Sequence, residues 1–332
     1  MAIQVNGTEV ISNSRALNNI ASIDATTAAA IGAGGVGAPT AQSWVGGLAV
    51  GEMAGNINPY NMVYENNRFV MTRAIGSIYW SDDGVTWNVG NYASVNQILT
   101  DVTYVSGSTW LAVGDSGTIL RSTNNAVSWS SISSPTTGGY ISGVVSNGSR
   151  VVISALSSRG LWYSDNAGTS WTQVSGTSGW SFDGIGYGNS RFMAVRRDAG
   201  FSYSDNGSSF TNVANSQVST GSNFGVAGPS YGDGRWLYTF GGGRCQTSTN
   251  NGVSWSTVST GTSYGLKKCH YANGAWVAVG EYSTILKADT GVSFVQVPPP
   301  FTNNSPYYSG VTYGNGKWVT AIQAPPAVAS ST

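Results

Sequence analysis

The stretch "YWSDDGVTWNVG", residues 79–90, decides the fold, because it can be read in two ways. It gathers a Ser, two acidic residues, a Gly, a Thr and a Trp into one short turn. Read alone, it looks like a catalytic or metal-binding turn built on Asp82 and Asp83. Read beside the rest of the chain, it is one copy of a repeat. Relatives ending on an aromatic occur as "WSDDGVTW" (80–87), "STNNAVSW" (122–129), "SDNAGTSW" (164–171), "YSDNGSSF" (203–210), "STNNGVSW" (248–255) and "KADTGVSF" (287–294). With the copies aligned on that aromatic, the third residue of each is Asp82, Asn124, Asn166, Asp205, Asn250 and Asp289. The steps between copies are 42, 42, 39, 45 and 39 residues.

A second element keeps the same beat: a tight turn, a bulky residue, then an apolar run. It recurs from "YENNRFVM" (64–71) to "YGNGKWVTA" (313–321), with Phe69, Trp110, Val151, Phe192, Trp236, Trp276 and Trp318 at the bulky position. Asn-Gly, Gly-Asn and Asp-Gly between alternating apolar residues signal hairpins, because primed turns need positive φ. Each unit therefore reads as strands A, B, C and D, with a longer loop between B and C and the Ser/Asp/Gly turn between C and D. Four short antiparallel strands every forty-odd residues is the period of a propeller blade.

The repeated turn resembles the Asp box of BNR-repeat, sialidase-like propellers, written S-x-D-x-G-x-T-W. The likeness covers roughly residues 42–322. The copies depart from the pattern at Trp80, Tyr203 and Lys287 in the first position, in the three Asn replacements, and at Ala126. The resemblance implies that Asp82, Asn124, Asn166, Asp205, Asn250 and Asp289 are fold elements on the face away from any site. The residue types agree: a short Asp or Asn accepts N–H bonds inside its own turn, and Gly supplies positive φ.

Seven A–B hairpins accompany six such turns, and the last hairpin runs into "APPAVASST". Counting back 25 residues from Phe69, within the usual spacing, lands on Trp44 in "TAQSWVGGLAVG". The expected fold is thus all-β: a seven-bladed β-propeller over 42–332, with residues 42–49 completing the C-terminal blade. Six blades with an irregular cap is the alternative. Pro325 and Pro326 argue against a regular strand C in the last blade.

Bulk composition narrows function. Charged residues are 9% of the 332 and the net charge is zero, so no basic field exists for nucleic acid and no cationic face for a membrane. The first residues lack a secretion signal, and no apolar run is long enough to span a bilayer. Two cysteines, Cys245 and Cys269, read as buried free thiols rather than a disulfide scaffold. The single His270 reads as a core residue on an inner strand, and no cofactor or metal site is expected. Lys267-Lys268 is too short a basic run for nucleic acid, and "FGGGRC" (240–245) opens no helix that would cradle phosphate.

Residues 1–41 show no blade signals. "IQVNGTEVI" reads as a small hairpin, and the following small-residue stretch has too few large side chains for a core of its own. "VNGTEVISNSRALNNIASIDATTAAAIGA" resembles the N-terminal segments of tailed-phage structural proteins, tail fibres included. That resemblance implies a virion anchor holding 1–41 to other virion proteins, a homo-oligomer, and an extracellular particle as the location. The photosystem assembly propellers carry similar repeats but have no use for such an N-terminus.

Ligands of propellers sit on the face made by the B–C and D–A loops. Here those B–C loops carry Arg73, Asp115, Arg159, Arg196, Arg197, Asp198, Arg244 and Glu281, with Tyr282 beside them for stacking on a sugar. Five of the eleven arginines thus fall on one rim, which suits a carboxylate-bearing or sulfated glycan through the planar guanidinium fork. The plain reading of the same residues is a solvated rim. Sialidase-like propellers use three arginines, a Tyr activated by a Glu, and an Asp. Of the four glutamates, only Glu281 is placed for chemistry, Glu65 lying in an A–B turn on the other face. The expected protein is therefore a non-enzymatic, virion-displayed module binding a host surface polysaccharide. A decoration or cement protein, and a sialidase-like glycosidase, are the competing readings.

Overall fold

A computed structural model describes residues 3–5, 8–11, 44–45, 58–92, 96–197, 200–213, 227–299, 307–323 and 326–331. The chain divides into two units, residues 1–42 and 43–332. In the first, Ile3–Val5 pairs antiparallel with Thr8–Ile11, the small hairpin that "IQVNGTEVI" predicts. The rest of the expected anchor lies outside the described residues.

The second unit is an all-β propeller. Its first sheet runs Pro59–Glu65, Arg68–Arg73, Ile78–Ser81 and Asn88–Val89 in simple up-and-down order. Sheets with the same order span 99–131, 141–173, 182–212, 230–258 and 266–296, and Asn91–Tyr92 adds a fifth, parallel strand to the first of these. These six blades are each complete within one run of chain, the count of the alternative reading rather than the seven expected. A composite sheet lies beyond them in the chain. Tyr308–Gly314, Lys317–Gln323 and Pro326–Ser331 supply three of its strands, and Trp44–Val45 pairs with the last of them through Trp44↔Ser331 and Val45↔Ser330. Pro326 does not prevent the third strand, because it sits at that strand's first position, where no ladder donor is required.

Apolar side chains hold neighbouring sheets face to face. Val70 and Ile78 of the first blade pack with Leu99, Val102 and Trp110 of the second. Val319 and Ala321 of the composite sheet pack with Met62, Phe69 and Trp87 of the first blade. The bulky strand-B positions are the centres of these interfaces: Phe69, Trp110, Val151, Phe192, Trp236 and Trp276 are wholly buried and Trp318 nearly so. Burying each such side chain is worth roughly 2–3 kcal/mol before entropy is counted.

The hydrogen bonds correct the register of the repeated turn. In the first copy Gly84 N donates to Ser81 Oγ at 2.8 Å, while Val85 N and Thr86 N both donate to Asp83 Oδ1 at 2.7 Å. The acceptor inside the turn is Asp83, not Asp82. In the fourth copy it is Asn206, bonded by Ser208 N at 2.9 Å, not Asp205. Asn124, Asn166 and Asn250 do hold the acceptor position, each receiving the N–H of Ser128, Ser170 or Ser254 at 2.8–2.9 Å. The cause is loop length: counted from the residue that ends strand C, three turns reach their aromatic one residue sooner than the others. Ala288 stands where the other copies have this Ser, so Asp289 falls one place early as well.

The displaced aspartates have a different job. Arg68 donates to Asp82 through Nε at 2.7 Å and Nη2 at 3.1 Å, and its Nη1 donates to the carbonyl of Asn125 in the next blade at 2.6 Å. Arg150 repeats this on Asp165 and the Asn206 carbonyl, and Arg191 on Asp205 and the Asn251 carbonyl. Each guanidinium also lies over a ring of its own blade: Trp80, Tyr163 or Tyr203, at 3.9–4.4 Å. On this face, therefore, the arginines staple blade to blade.

Candidate functional site

The site begins with an irregularity shared by the inner strands. Where strand A starts, the pairing with strand B slips at Pro59/Asn61, Ile141/Gly143, Phe182/Gly184, Leu266/Lys268 and Tyr308/Gly310. The second blade slips at the same level, between the partners of Val113 and Gly114. A bulge leaves one residue unpaired and re-aims its side chain. The residues so placed are Tyr60, Thr100, Ser142, Asp183, Lys267 and Ser309. Thr100 and Ser142 tie strands together, their hydroxyls donating to the carbonyls of Ile141 at 2.7 Å and Phe182 at 2.6 Å. Tyr60, Lys267 and Ser309 instead line a cavity of about 630 Å³ at the B–C end of the unit.

Tyr140, Tyr307, Leu156, Ser157, Arg197, Glu281 and Gln323 complete the wall of this mouth. Each of its cations is matched by a carboxylate. Lys267 Nζ lies 3.0 Å from Glu281 Oε1, and Arg197 places Nε and Nη2 at 2.8 and 2.7 Å from Asp183 Oδ1. Burial, then the charge of Asp115, raises the Tyr60 hydroxyl above its ordinary value. Burial, then Tyr60 and Asp115, does the same to Tyr140. Beside the mouth, Tyr282 sits 4.8 Å from Tyr264 and 5.6 Å from Tyr307, ring centre to ring centre. Tyr264 and Tyr282 are nearly half exposed, so the three rings form a tyrosine ridge open to solvent.

Of the residues expected on this rim, the structure brings Arg197, Glu281 and Tyr282 to the mouth, with Asp115 near enough to act on its phenols. Arg73 is wholly buried, its guanidinium 4.8 Å from the Tyr79 ring, and so is no ligand contact. Arg196 lies over Trp180 at 4.6 Å. Arg244 lies over Phe240 at 4.5 Å and donates to the Gly241 carbonyl at 2.8 Å. Arg159 packs over Gly139, where an added Cβ would meet its Cδ at 2.3 Å. Asp198 lies outside the described residues. The sequence reading missed Tyr60, Tyr140, Lys267 and Tyr307, which precede or begin inner strands rather than occupy B–C loops.

Below the mouth a second cavity, about 250 Å³, is lined by inner-strand residues including Asn61, Asp101, Lys268 and His270. Lys268 Nζ donates to Asn61 Oδ1 at 2.6 Å and to the Met62 carbonyl at 2.7 Å. Asn61 Nδ2 donates to Asp101 Oδ1 at 2.5 Å, and Asp101 also accepts the N–H of Val102 at 2.8 Å and of Val144 at 2.9 Å. Burial raises Asp101 to about 6 against the pull of those bonds and of Lys268. Burial lowers Lys268 to about 8, with Asp101 opposing. His270, lowered to about 3 by burial and then by Lys268, is neutral at ordinary pH. Cys245 and Cys269 are free and buried, as expected. Among the described residues no group of three or more His, Cys, Asp or Glu is placed to hold a metal ion, and no helix is long and apolar enough to cross a membrane.

Fold comparison gives the class: this is a β-propeller chain. It is similar to YCF48 bound to D1 peptide, with a TM-score of 0.66 and 13% identity over 87% of this chain and 94% of that one. It is similar to streptogramin B lyase, with a TM-score of 0.68 and 13% identity over 87% and 96%. The WD40 β-propeller domain of Doa1 aligns with a TM-score of 0.65 and 14% identity over 87% and 97%. No protein-family model matches the chain, and no curated protein does. At these identities the likeness carries the fold alone, and with a lyase beside a WD40 domain it takes no side between catalysis and binding.

Proposed function

We propose that this chain is a display module whose propeller binds a surface glycan at the tyrosine-lined mouth, without catalysing a reaction. The observation that carries this reading is the mouth itself: a concave site of about 630 Å³ with Tyr60, Tyr140 and Tyr307 among hydroxyl and amide groups. Aromatic faces with a few fixed polar groups are the usual lining of a ligand pocket. Its one lining carboxylate, Glu281, is held on Lys267, and the nearby Asp183 is held on Arg197, which argues against a glycosidase pair in which one acid stays protonated. Placement on a phage particle, with anchoring by residues 1–41 to other virion proteins and assembly into homo-oligomers, rests on the N-terminal resemblance. The likeness of the repeated turns to Asp boxes belongs to the same reading.

The test is binding of the full chain to host cells and to their extracted polysaccharide, beside the Tyr140→Ser/Tyr307→Ser variant. Saturable binding that the variant loses supports a glycan-binding mouth. Equal binding by a folded variant places recognition elsewhere and overturns the reading. A decoration role is the second reading, and one observation favours it. Val85, Val127, Val253 and Val292 occupy the same position of four repeated turns and are each 41–52% exposed on the face away from the mouth. Burial of those valines on the particle, with the mouth binding no saccharide, would support it.

A further inference from the structure

We propose that the ligand of the mouth is an uncharged oligosaccharide, stacked on the ridge of Tyr264, Tyr282 and Tyr307, rather than an acidic one; this rests on the mouth being the binding site. The first argument is charge. The mouth holds two cations, Lys267 and Arg197, and each is already bonded to a carboxylate, Glu281 or Asp183. A ligand carboxylate or sulfate would have to displace one of these partners and leave it uncompensated in a partly enclosed site. The remaining rim arginines do not line the mouth: Arg196 and Arg244 lie over Trp180 and Phe240, Arg159 packs on Gly139, and Arg73 is buried. Asp115, whose charge reaches the phenols of Tyr60 and Tyr140, adds to the opposition to an anion.

The second argument is backbone conformation. Tyr282 has φ of +50° in its B–C loop, where the turns of two other blades place Ser116 at +56° and Gly242 at +72°. A bulky residue in the left-handed region costs about 1–2 kcal/mol relative to Gly. Buried packing does not offset this, because the ring is 46% exposed. The side chain is held out at the lip, against the rings of Tyr264 and Tyr307, which suits a sugar face. Ile75 takes the equivalent place in the first blade at φ of +60° and 49% exposure, a second apolar surface at the same level. Within the mouth the groups that face ligand hydroxyls are neutral: the phenols of Tyr60 and Tyr140, the Ser157 and Ser309 hydroxyls, and the Gln323 amide oxygen, its nitrogen being bonded to the Pro59 carbonyl.

The experiment is calorimetric titration of the full chain, at low and high salt, with two oligosaccharide sets of matched length. One set is neutral (gluco-, galacto- and manno-configured), the other acidic (uronate and sulfated). Tyr282→Ser runs alongside, a substitution that the backbone tolerates because Ser116 adopts the same φ. The expected result is binding of a neutral oligosaccharide with affinity insensitive to salt, weakened about tenfold in Tyr282→Ser, the change that one stacked ring supplies. Binding confined to the acidic set, falling with salt and weakened by Tyr282→Ser, would overturn the neutral ligand and leave the mouth as the site. Binding of neither set, or binding indifferent to both Tyr282→Ser and the Tyr140→Ser/Tyr307→Ser variant, would overturn both.

Discussion

Replacing Lys268 with Met probes the one place, among the described residues, where the propeller buries opposite charges at its centre. Lys268 belongs to the sixth blade, and its two donated bonds reach Asn61 and Met62 of the first, passing over the composite sheet between them. Asn61 hands the connection to Asp101 of the second blade, and Asp101 to Val144 of the third. The ionised groups are uncomfortable there. Lys268 falls from 10.5 to about 8, and Asp101 rises from 3.8 to about 6. At about 1.4 kcal/mol per pKa unit, each charge costs the folded state about 3 kcal/mol near neutrality. Linkage sets the signs. Asp101, raised in the fold, contributes stability that is present below 3.8 and lost as pH rises through about 6. Lys268, lowered in the fold, contributes stability that is present above 10.5 and lost as pH falls through about 8. Together they put a trough in stability between about 6 and 8. Lys268→Met removes the cation but leaves Asp101 buried, and breaking a buried pair in this way costs about 3–5 kcal/mol. It also abolishes the rise on the alkaline side and moves the acid limb to higher pH, since the pull of Lys268 that lowers Asp101 in the native chain is lost. Lys268→Met/Asp101→Asn should recover much of the loss and flatten the profile. The assay is urea unfolding from pH 5 to pH 10, followed by tryptophan fluorescence and far-UV circular dichroism, whose midpoints must coincide for the free energies to hold. A single variant that loses less than about 1 kcal/mol, or a double variant that loses the sum of its parts, would refute the relay.

Three further outcomes are expected. Asp83→Ala should cost about 1–2 kcal/mol in thermal unfolding and Asp82→Ala distinctly less, because Asp83 accepts the turn's N–H groups while Asp82 makes an exposed ion pair; equal losses would restore the register counted from the aromatic. Asp83 is held down to about 2, as its N–H and hydroxyl donors outweigh the opposing effect of burial, so its contribution is present above 3.8 and lost as pH falls through about 2; Asp83→Ala should therefore lessen the acid sensitivity of the midpoint. Arg191→Ala should lower stability by about 1 kcal/mol, through the lost inter-blade bond to the Asn251 carbonyl more than through Asp205, so Asp205→Asn should lose only part of that. Removing residues 1–45 takes away the outer strand paired with Pro326–Ser331, and should lower the melting temperature and promote association through the bared edge, read by light scattering.

The blade period was legible because hairpin turns, strand-B aromatics and Ser/Asp turns all repeat in the same phase, and each has a separate physical reason to recur. The outer strand at Trp44 was legible for the same reason, as a spacing counted back from Phe69. Two things were not. A one-residue difference in turn length is invisible when copies are aligned on their aromatic, so Asp82 and Asp205 stood in for Asp83 and Asn206. The lie of the rim arginines was hidden as well, because loop position does not say where a long side chain points. Arg73 turns inward over Tyr79, while Arg196 and Arg244 lay their guanidinium faces on aromatic rings beside them. The inner-strand bulges were likewise hidden, since nothing in the alternation of "PYNMVY" or "GLKKCHY" announces a slipped pair.

Those bulges explain how a repeat built for uniformity carries a candidate site at all. Every blade interface buries an apolar residue at the same strand-B position, so a polar substitution there risks the core. The bulged residue at the head of strand A escapes that demand: it is unpaired in the ladder, it sits at the B–C end of its blade, and the backbone that presents it is made by its neighbours. The chain places Tyr, Thr, Ser, Asp, Lys and Ser at this one position in successive slipped strands, a spread of chemistry found at none of the core positions. Thr100 and Ser142 turn it to tying strands together, while Tyr60, Lys267 and Ser309 give it to the cavity. The propeller thus varies the lining of its mouth at a position that the apolar blade interfaces do not claim.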